Sequence, residues 1–532
     1  MSIEKIKEQI IEGEIVLGIE LGSTRIKAVL IDVNHTPIAK GNYEWKSQYI
    51  NDIFTYSLDD IWKGIQSCYK SLKDNVKEEY GVIIRKIASI GISGMMHGYM
   101  VFDKDDRLLV PFRTWQNTTT ECASKKLTKL FDYKIPQRWC ISHLYQAILN
   151  DENHVENINY MTTLSGYIHY KLTGNKVVGV GEASGMFPID LDKKNYNNEM
   201  INAFDNLVKN HNYNWKIKDI LPKVLLAGEL AGTLTLEGSL LLDNDGDLQS
   251  GCIFCPPEGD AGTGMVATNT ISERSCNISA GTSIFSMVVI EKELSRVYEE
   301  LDLVMTPDGK LVTMVHVNNC TSDLNEWMDL FSEVLKTFGV TVQRDYLYEH
   351  LFKQIETADM DNESMLLYNF LSGEHILQLV NGCPLFVRSP NSNLSLSNFM
   401  KVQLYSTICV LKLGMDLLQE EGIKIDYVLA HGGLFKTRGV VDKIVSSALN
   451  VPVSLMETAN EGGAWGMAIL ASYIGSSQSL ESYLNNIVFS KVTKRTINPD
   501  LLMMKSYNEY AKRYTKGLPV VKLASQTINK EF

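Results

Sequence analysis

Cysteine, positive charge and long apolar runs are all scarce in this 532-residue chain, and each shortage removes a class of protein. Nine scattered cysteines make no disulfide framework and fit unpaired thiols in a reducing compartment. Cys252 and Cys255 form a lone CxxC, but Pro256 and Pro257 follow at once, and no second pair or suitably spaced histidines complete a zinc site. With 51 Lys and Arg against 63 Asp and Glu the net charge is −12, which argues against a nucleic-acid backbone or an anionic membrane as the main partner. No apolar run approaches the roughly 20 residues needed to span a bilayer. The N-terminal MSIEKIKEQIIEGE has no basic stretch followed by an apolar one, so no secretory signal is expected. The expectation is a cytoplasmic globular protein, and at about 150 residues per domain the length allows three domains or two large lobes.

What the chain does contain is a repeated device. Residues 14–32, EIVLGIELGSTRIKAVLID, predict two strands joined by the corner Gly22-Ser23-Thr24. The same grammar returns at 276–291, CNISAGTSIFSMVVIE, around Gly281-Thr282-Ser283. Strand material around Gly94, an amphipathic helix in LDDIWKGIQSCYKSLKDNVKEEYG and a helix ending at Gly174 alternate between these hairpins, which indicates an α/β class. Further helices are expected near 323–338 and from Asn398 to Glu420. A strand from Asp426 leads into His431-Gly432-Gly433, and the last clear helix begins near Asn460 with EGGAWGMAILASYIG. The acidic run Asp243 to Asp247 lacks the ligand spacing of a calcium loop and reads as a solvated turn.

Two corners of Gly, Ser and Thr offer convergent N–H and hydroxyl donors, a suitable cradle for phosphates. Their duplication resembles the actin, heat-shock-70 and sugar-kinase superfamily. The strand VLA followed by HGG and a helix at 428–447, then Gly462-Gly463-Ala464-Trp465-Gly466, resembles that superfamily's adenosine-binding segment. Within it, SGMMHGYMVFD at 93–103, RTWQNT at 113–118, GYIHYKLTG at 166–174, GEASGMFPID at 181–190 and PPEGDAGTGMVATN at 256–269 resemble the FGGY carbohydrate kinases, xylulokinases in particular. The resemblance runs from about Val16 to about Ser472. It implies two actin-like (ribonuclease H-like) α/β lobes of mixed sheets flanked by helices, residues 14–270 and 271–525, with ATP and sugar in the cleft between them.

The same resemblance supplies roles. Asp260 is expected to be the catalytic base, because a sugar hydroxyl is a poor nucleophile until a carboxylate orients it and accepts its proton. Glu20 stands where most of the family has Asp, and with Asp260 it would hold Mg²⁺ through water. Gly22, Ser23, Thr24, Gly281, Thr282 and Ser283 are expected at the phosphates of ATP, and Gly432 and Gly433 at its adenosine. Met96, His97, Trp115 and Asp260 are expected at the sugar: imidazole hydrogen-bonds a hydroxyl, and indole offers an apolar wall. Asn117 replaces the usual acid after Trp-x, and Ala261 replaces an Asn after the catalytic Asp. The implied activity is ATP-dependent phosphorylation of a ketose or polyol, xylulokinase-like, with a homodimer among the compatible assemblies. The rival readings are a sugar- and nucleotide-binding regulatory protein with little phosphotransfer and a sugar-independent ATPase.

Overall fold

The first small-residue corner closes a hairpin, as its composition predicts. In the computed structural model, which describes all residues except 361–364, 457–461 and 529–532, Val16–Leu21 runs antiparallel to Arg25–Ile31. The strand order of the sheet is Gly232–Thr233, Ile253–Phe254, Ser89–Gly94, Val16–Leu21, Arg25–Ile31 and Pro37–Glu44, with Glu258–Gly259 also paired to Ser89–Gly94. Buried positions are almost continuous along the first two strands, because helices cover both faces. On one face, helix Leu58–Tyr80 places Ile61, Ile65, Cys68, Leu72 and Val76 at three- and four-residue spacing against Ile19, Ile26 and Ala28. Each aliphatic side chain so buried contributes about 1.5–3 kcal/mol. Ser57 caps the helix by accepting from the Asp60 N–H at 3.1 Å, and Gly81 ends it at φ +70°.

On the opposite face lies helix Gly462–Ser472, whose small residues permit backbone-to-backbone approach. A Cβ on Gly18 would sit 2.0 Å from the Ala464 carbonyl, and one on Gly466 would sit 2.0 Å from the Thr263 carbonyl. The expected helix start near Asn460 lies outside the described residues.

Packing divides the chain into two units. The first comprises Met1–Ile271, Leu303–Val312 and Glu461–Lys491; the second comprises Ser272–Asp302, Thr313–Asn460 and Val492–Phe532. A single division at 270/271 thus follows only the first junction, since a returning segment leaves no mark in linear order. In the second unit the hairpin is rebuilt: Ser275–Ala280 runs antiparallel to Ile284–Val289 and parallel to Tyr427–His431. The first unit does the same with Val16–Leu21, Arg25–Ile31 and Ser89–Gly94. Val453–Met456 and Lys494–Ile497 continue the second sheet. Helix Leu396–Glu420 packs beside it, mostly buried.

Two expectations need correction. Helix Gly462–Ser472 is not the last: Leu501–Thr527 follows, burying Tyr507, Tyr510 and Tyr514, and its charged sequence with Pro519 inside hides the period that would announce it. The acidic run is not simply solvated, because Lys73, itself buried, donates to Asp243 at 2.7 Å, Asp247 at 2.9 Å and Asp245 at 3.2 Å. All nine cysteines are free thiols, Cys252 and Cys255 being buried. Among the described residues no helix is long and apolar enough to cross a membrane.

Candidate active site

In the first unit three neighbouring strands end in register, with Glu20 beside Ser93 and Ser93 beside Glu258. Just beyond Glu258–Gly259, Asp260 opens helix Asp260–Ala267, where the helix N-terminus favours a carboxylate. Its Oδ1 accepts from the Met96 N–H at 3.3 Å. Burial, and then the negative charge of Glu20, push the Asp260 carboxyl up to about 6 against the N–H groups of Met96 and Ala261. Burial likewise raises Glu20, opposed by the Lys27 ammonium across the hairpin and by the Ala464 N–H. Gly463 makes room for it: a Cβ there would lie 2.6 Å from Glu20 Oε1 and 2.8 Å from Thr263 Oγ1. Thr263 is held in turn by Ser93, hydroxyl to hydroxyl at 3.0 Å.

Two further carboxyls stand here that sequence reasoning did not single out, although both lie inside quoted motifs. Glu258 accepts from the N–H groups of Glu182 at 2.8 Å and Gly181 at 3.3 Å, and burial pushes it up to about 8. Glu182 accepts from the Ser165 hydroxyl at 3.2 Å, while its Oε2 has no partner among the described residues. Burial, and then the neighbouring charges of Glu258 and Asp260, hold it well above the usual carboxylate range. A Cβ on Gly259 would meet Met96 Cγ at 2.0 Å and Glu182 Oε2 at 2.6 Å, which explains the glycine before Asp260.

Met96 is buried beside these acids, and His97 follows it at φ +70°. His97 Nδ1 lies 3.2 Å from the Gly185 carbonyl, and its ring is parallel to that of Trp139 at 6.5 Å. The buried Trp139 indole N–H has no partner among the described residues, and no sequence motif marked it. Trp115 is tied to the first corner: its Nε1 donates to Ser23 Oγ at 3.0 Å, and its ring is 38% exposed. Asn117 is structural, accepting from the Phe54 N–H and donating to the Phe54 carbonyl, both at 2.9 Å. An acid could accept there but not donate, so the amide suits this pairing.

The first corner has its carbonyls tied from outside. Trp45 Nε1 donates to Gly22 O at 2.7 Å, the Tyr56 hydroxyl to Ser23 O at 2.5 Å and the Trp45 N–H to Thr24 O at 3.1 Å. In a trans peptide the C=O and the following N–H point in opposite directions. Tying the Gly22 and Ser23 carbonyls therefore turns the N–H groups of Ser23 and Thr24 the other way, as a phosphate cradle requires.

The second unit reaches the same arrangement separately. Thr282 O accepts from the Cys320 N–H at 3.0 Å, and Gly281 O accepts from Thr321 through its hydroxyl at 2.8 Å and its N–H at 3.3 Å. The N–H groups of Thr282 and Ser283 consequently face away from the 320–321 loop. Gly281 and Gly433 both line a cavity of about 700 Å³, and a Cβ on either would meet nothing within 4 Å. Gly432 has a different role: at φ +107° it packs so tightly that a Cβ would lie 2.2 Å from the Ala280 carbonyl. Tyr348, Asn325 and Arg344 also line the cavity, the Tyr348 hydroxyl donating to Asn325 and Arg344 pairing with Asp329 at 2.9 Å. Apolar ring, amide and guanidinium beside bare backbone suit an aromatic base carrying phosphates.

Residues 15–242 match the N-terminal domain, and residues 276–474 the C-terminal domain, of the FGGY family of carbohydrate kinases. The chain is 22% identical over 523 residues to a xylulose kinase of Haemophilus influenzae, covering 94% of this chain and 99% of that one. Among solved structures it is similar to a ligand-bound xylulose kinase of Lactobacillus acidophilus, with TM-score 0.79, 17% identity and coverage of 97% and 100%. It is equally similar to a gluconate kinase of the same organism, with TM-score 0.79, 17% identity and coverage of 97% and 99%.

Proposed function

The chain belongs to the FGGY family of carbohydrate kinases and phosphorylates a sugar with ATP, and from that premise we propose a ketose or related polyol as its acceptor, in the manner of a xylulose kinase. The observation that carries the chemistry is Asp260, a half-buried carboxylate oriented by the Met96 N–H and poised at about 6, close enough to neutrality to take and release a proton. As the acceptor oxygen bonds to the γ-phosphorus, its proton passes to Asp260; the bond from that phosphorus to the bridging oxygen breaks, and ADP leaves. Met96 and His97 hold the sugar beside this base. Trp115, fixed by Ser23, presents an indole face where the phosphate corner meets the acceptor. Glu182 and Glu258 hold the turn that packs on Met96 and His97.

In the second unit Gly433 and the cavity it lines receive the adenosine, and the corner Gly281-Thr282-Ser283 meets the phosphates, with Gly22-Ser23-Thr24 as its counterpart in the first. Two neighbouring carboxyls, both raised by burial and Asp260 also by the charge of Glu20, suit a hard divalent cation, so Glu20 and Asp260 are the residues that would hold Mg²⁺. When bound, the ion neutralises charge on the transferring phosphoryl group. The free thiols fit a reducing cytoplasm.

The test is ADP release measured against pentuloses, hexuloses, heptuloses, polyols and gluconate. Turnover confined to ketoses or polyols supports the assignment. Release independent of any sugar, or turnover with gluconate alone, would overturn it.

A further inference from the structure

The 318–321 loop that ties the second corner has a buried anchor of its own. Glu374, with no exposed surface, directs Oε2 at three donors: the Asn318 N–H at 3.0 Å, the Asn319 side-chain amide at 3.1 Å and the Asn319 N–H at 3.3 Å. Asn319, 3% exposed, returns its Oδ1 to the Ser372 N–H at 3.0 Å and the Ser372 hydroxyl at 3.2 Å. Asn369, also buried, donates to the carbonyls of Cys320 at 3.0 Å and Asn319 at 3.4 Å, and its Oδ1 accepts from Ser406 at 3.1 Å. The loop is therefore pinned on one side by a carboxylate and two amides, and on the other its N–H groups hold Gly281 and Thr282.

We propose that Glu374, acting through Asn319, is a positioning residue for the phosphate corner Gly281-Thr282-Ser283. Keeping a carboxylate out of water is costly unless hydrogen bonds compensate it, and bonds to an ionised acceptor are roughly twice as strong as neutral ones. The arrangement trades that cost for a rigid loop. Rigidity matters because a corner peptide that rotated would turn a carbonyl oxygen toward an anionic ligand in place of an N–H. Glu374 and Asn319 do not line the cavity themselves, so their effect on nucleotide passes through the corner.

The inference rests on the reading of this corner as a phosphate site, and three full-length variants separate the two. Steady-state kinetics with ATP and the preferred sugar are measured for Glu374→Ala and Asn319→Ala beside thermal melting. Each should raise the KM for ATP roughly tenfold or more, as losing hydrogen bonds to a charged group predicts, while the KM for sugar stays within about twofold. A folded Glu374→Ala with parental KM for ATP, or with both KM values raised equally, would overturn the proposal. If Glu374→Ala does not fold, Asn319→Ala decides by the same criteria, and failure of both to fold would assign the network to stability alone and overturn it. Gly281→Val probes the corner directly, because the space around its Cβ is open and the fold should accept it. A parental KM for ATP in Gly281→Val would remove the phosphate reading itself. A raised one, with silent Glu374 and Asn319 variants, would remove only the positioning role.

Discussion

The two small-residue corners achieve one backbone arrangement with unrelated parts. In the first, aromatic side chains hold the carbonyls: Trp45 and Tyr56, their rings packed at 4.3 Å, donate an indole N–H and a phenol O–H. In the second, main-chain N–H groups and a threonine hydroxyl hold them, and the anchor beneath is a buried carboxylate. What the units share is therefore the direction of peptide dipoles and not the side chains that impose it. The corners also differ in company. Only the first sits in the unit that holds Asp260, Glu20, Met96 and His97, so the proposed base and acceptor contacts belong to one unit and the cavity of about 700 Å³ to the other.

The largest effect expected from that asymmetry is on chemistry. Asp260→Asn keeps the side chain's shape and removes the charge that accepts the proton, so kcat should fall by about 10²- to 10⁴-fold while calorimetric affinities for sugar and ATP change little. Retention of more than about a tenth of parental kcat would show that the base lies elsewhere. Glu20→Gln should come next. Hydrogen bonds to charged groups are worth about 1.5–3 kcal/mol, so the Mg²⁺ concentration for half-maximal rate should rise roughly tenfold or more at unchanged fold stability. An unaltered Mg²⁺ titration would return Glu20 to a structural role beside Lys27.

A smaller and more selective change is expected at His97. His97→Ala should raise the KM for sugar by about tenfold, the worth of one hydrogen bond, and leave that for ATP nearly unmoved. Equal losses for both substrates, with a lowered melting temperature, would make His97 part of the Trp139 packing only. The smallest effect tests the two corners against each other. Tyr56→Phe deletes a single neutral bond to Ser23 O and should raise the KM for ATP about two- to fivefold, less than Asn319→Ala at the other corner. Equal or reversed effects would mean that the buried carboxylate adds nothing to the second corner.

The amino-acid sequence by itself determined whatever depends on near neighbours. Both hairpins with their corners, helix Leu58–Tyr80 with its serine and glycine ends, the Gly432-Gly433 turn and Asp260 at a helix start are written in spacing and residue type over a dozen or two positions. Only the tertiary structure decided which polar groups lose water and what then faces them. Glu258 and Glu182 look like ordinary acids within their motifs, and it is burial among residues 165, 181 and 259 that raises both. Trp115 meets Ser23 across 92 positions, and Glu374 meets Asn319 across 55, distances over which no local period runs. The return of residues 462–491 to the first unit, which sets Gly463 against Glu20, is of the same kind. A carboxylate's charge state and partner follow from desolvation and from donors brought by remote segments, and linear order carries neither.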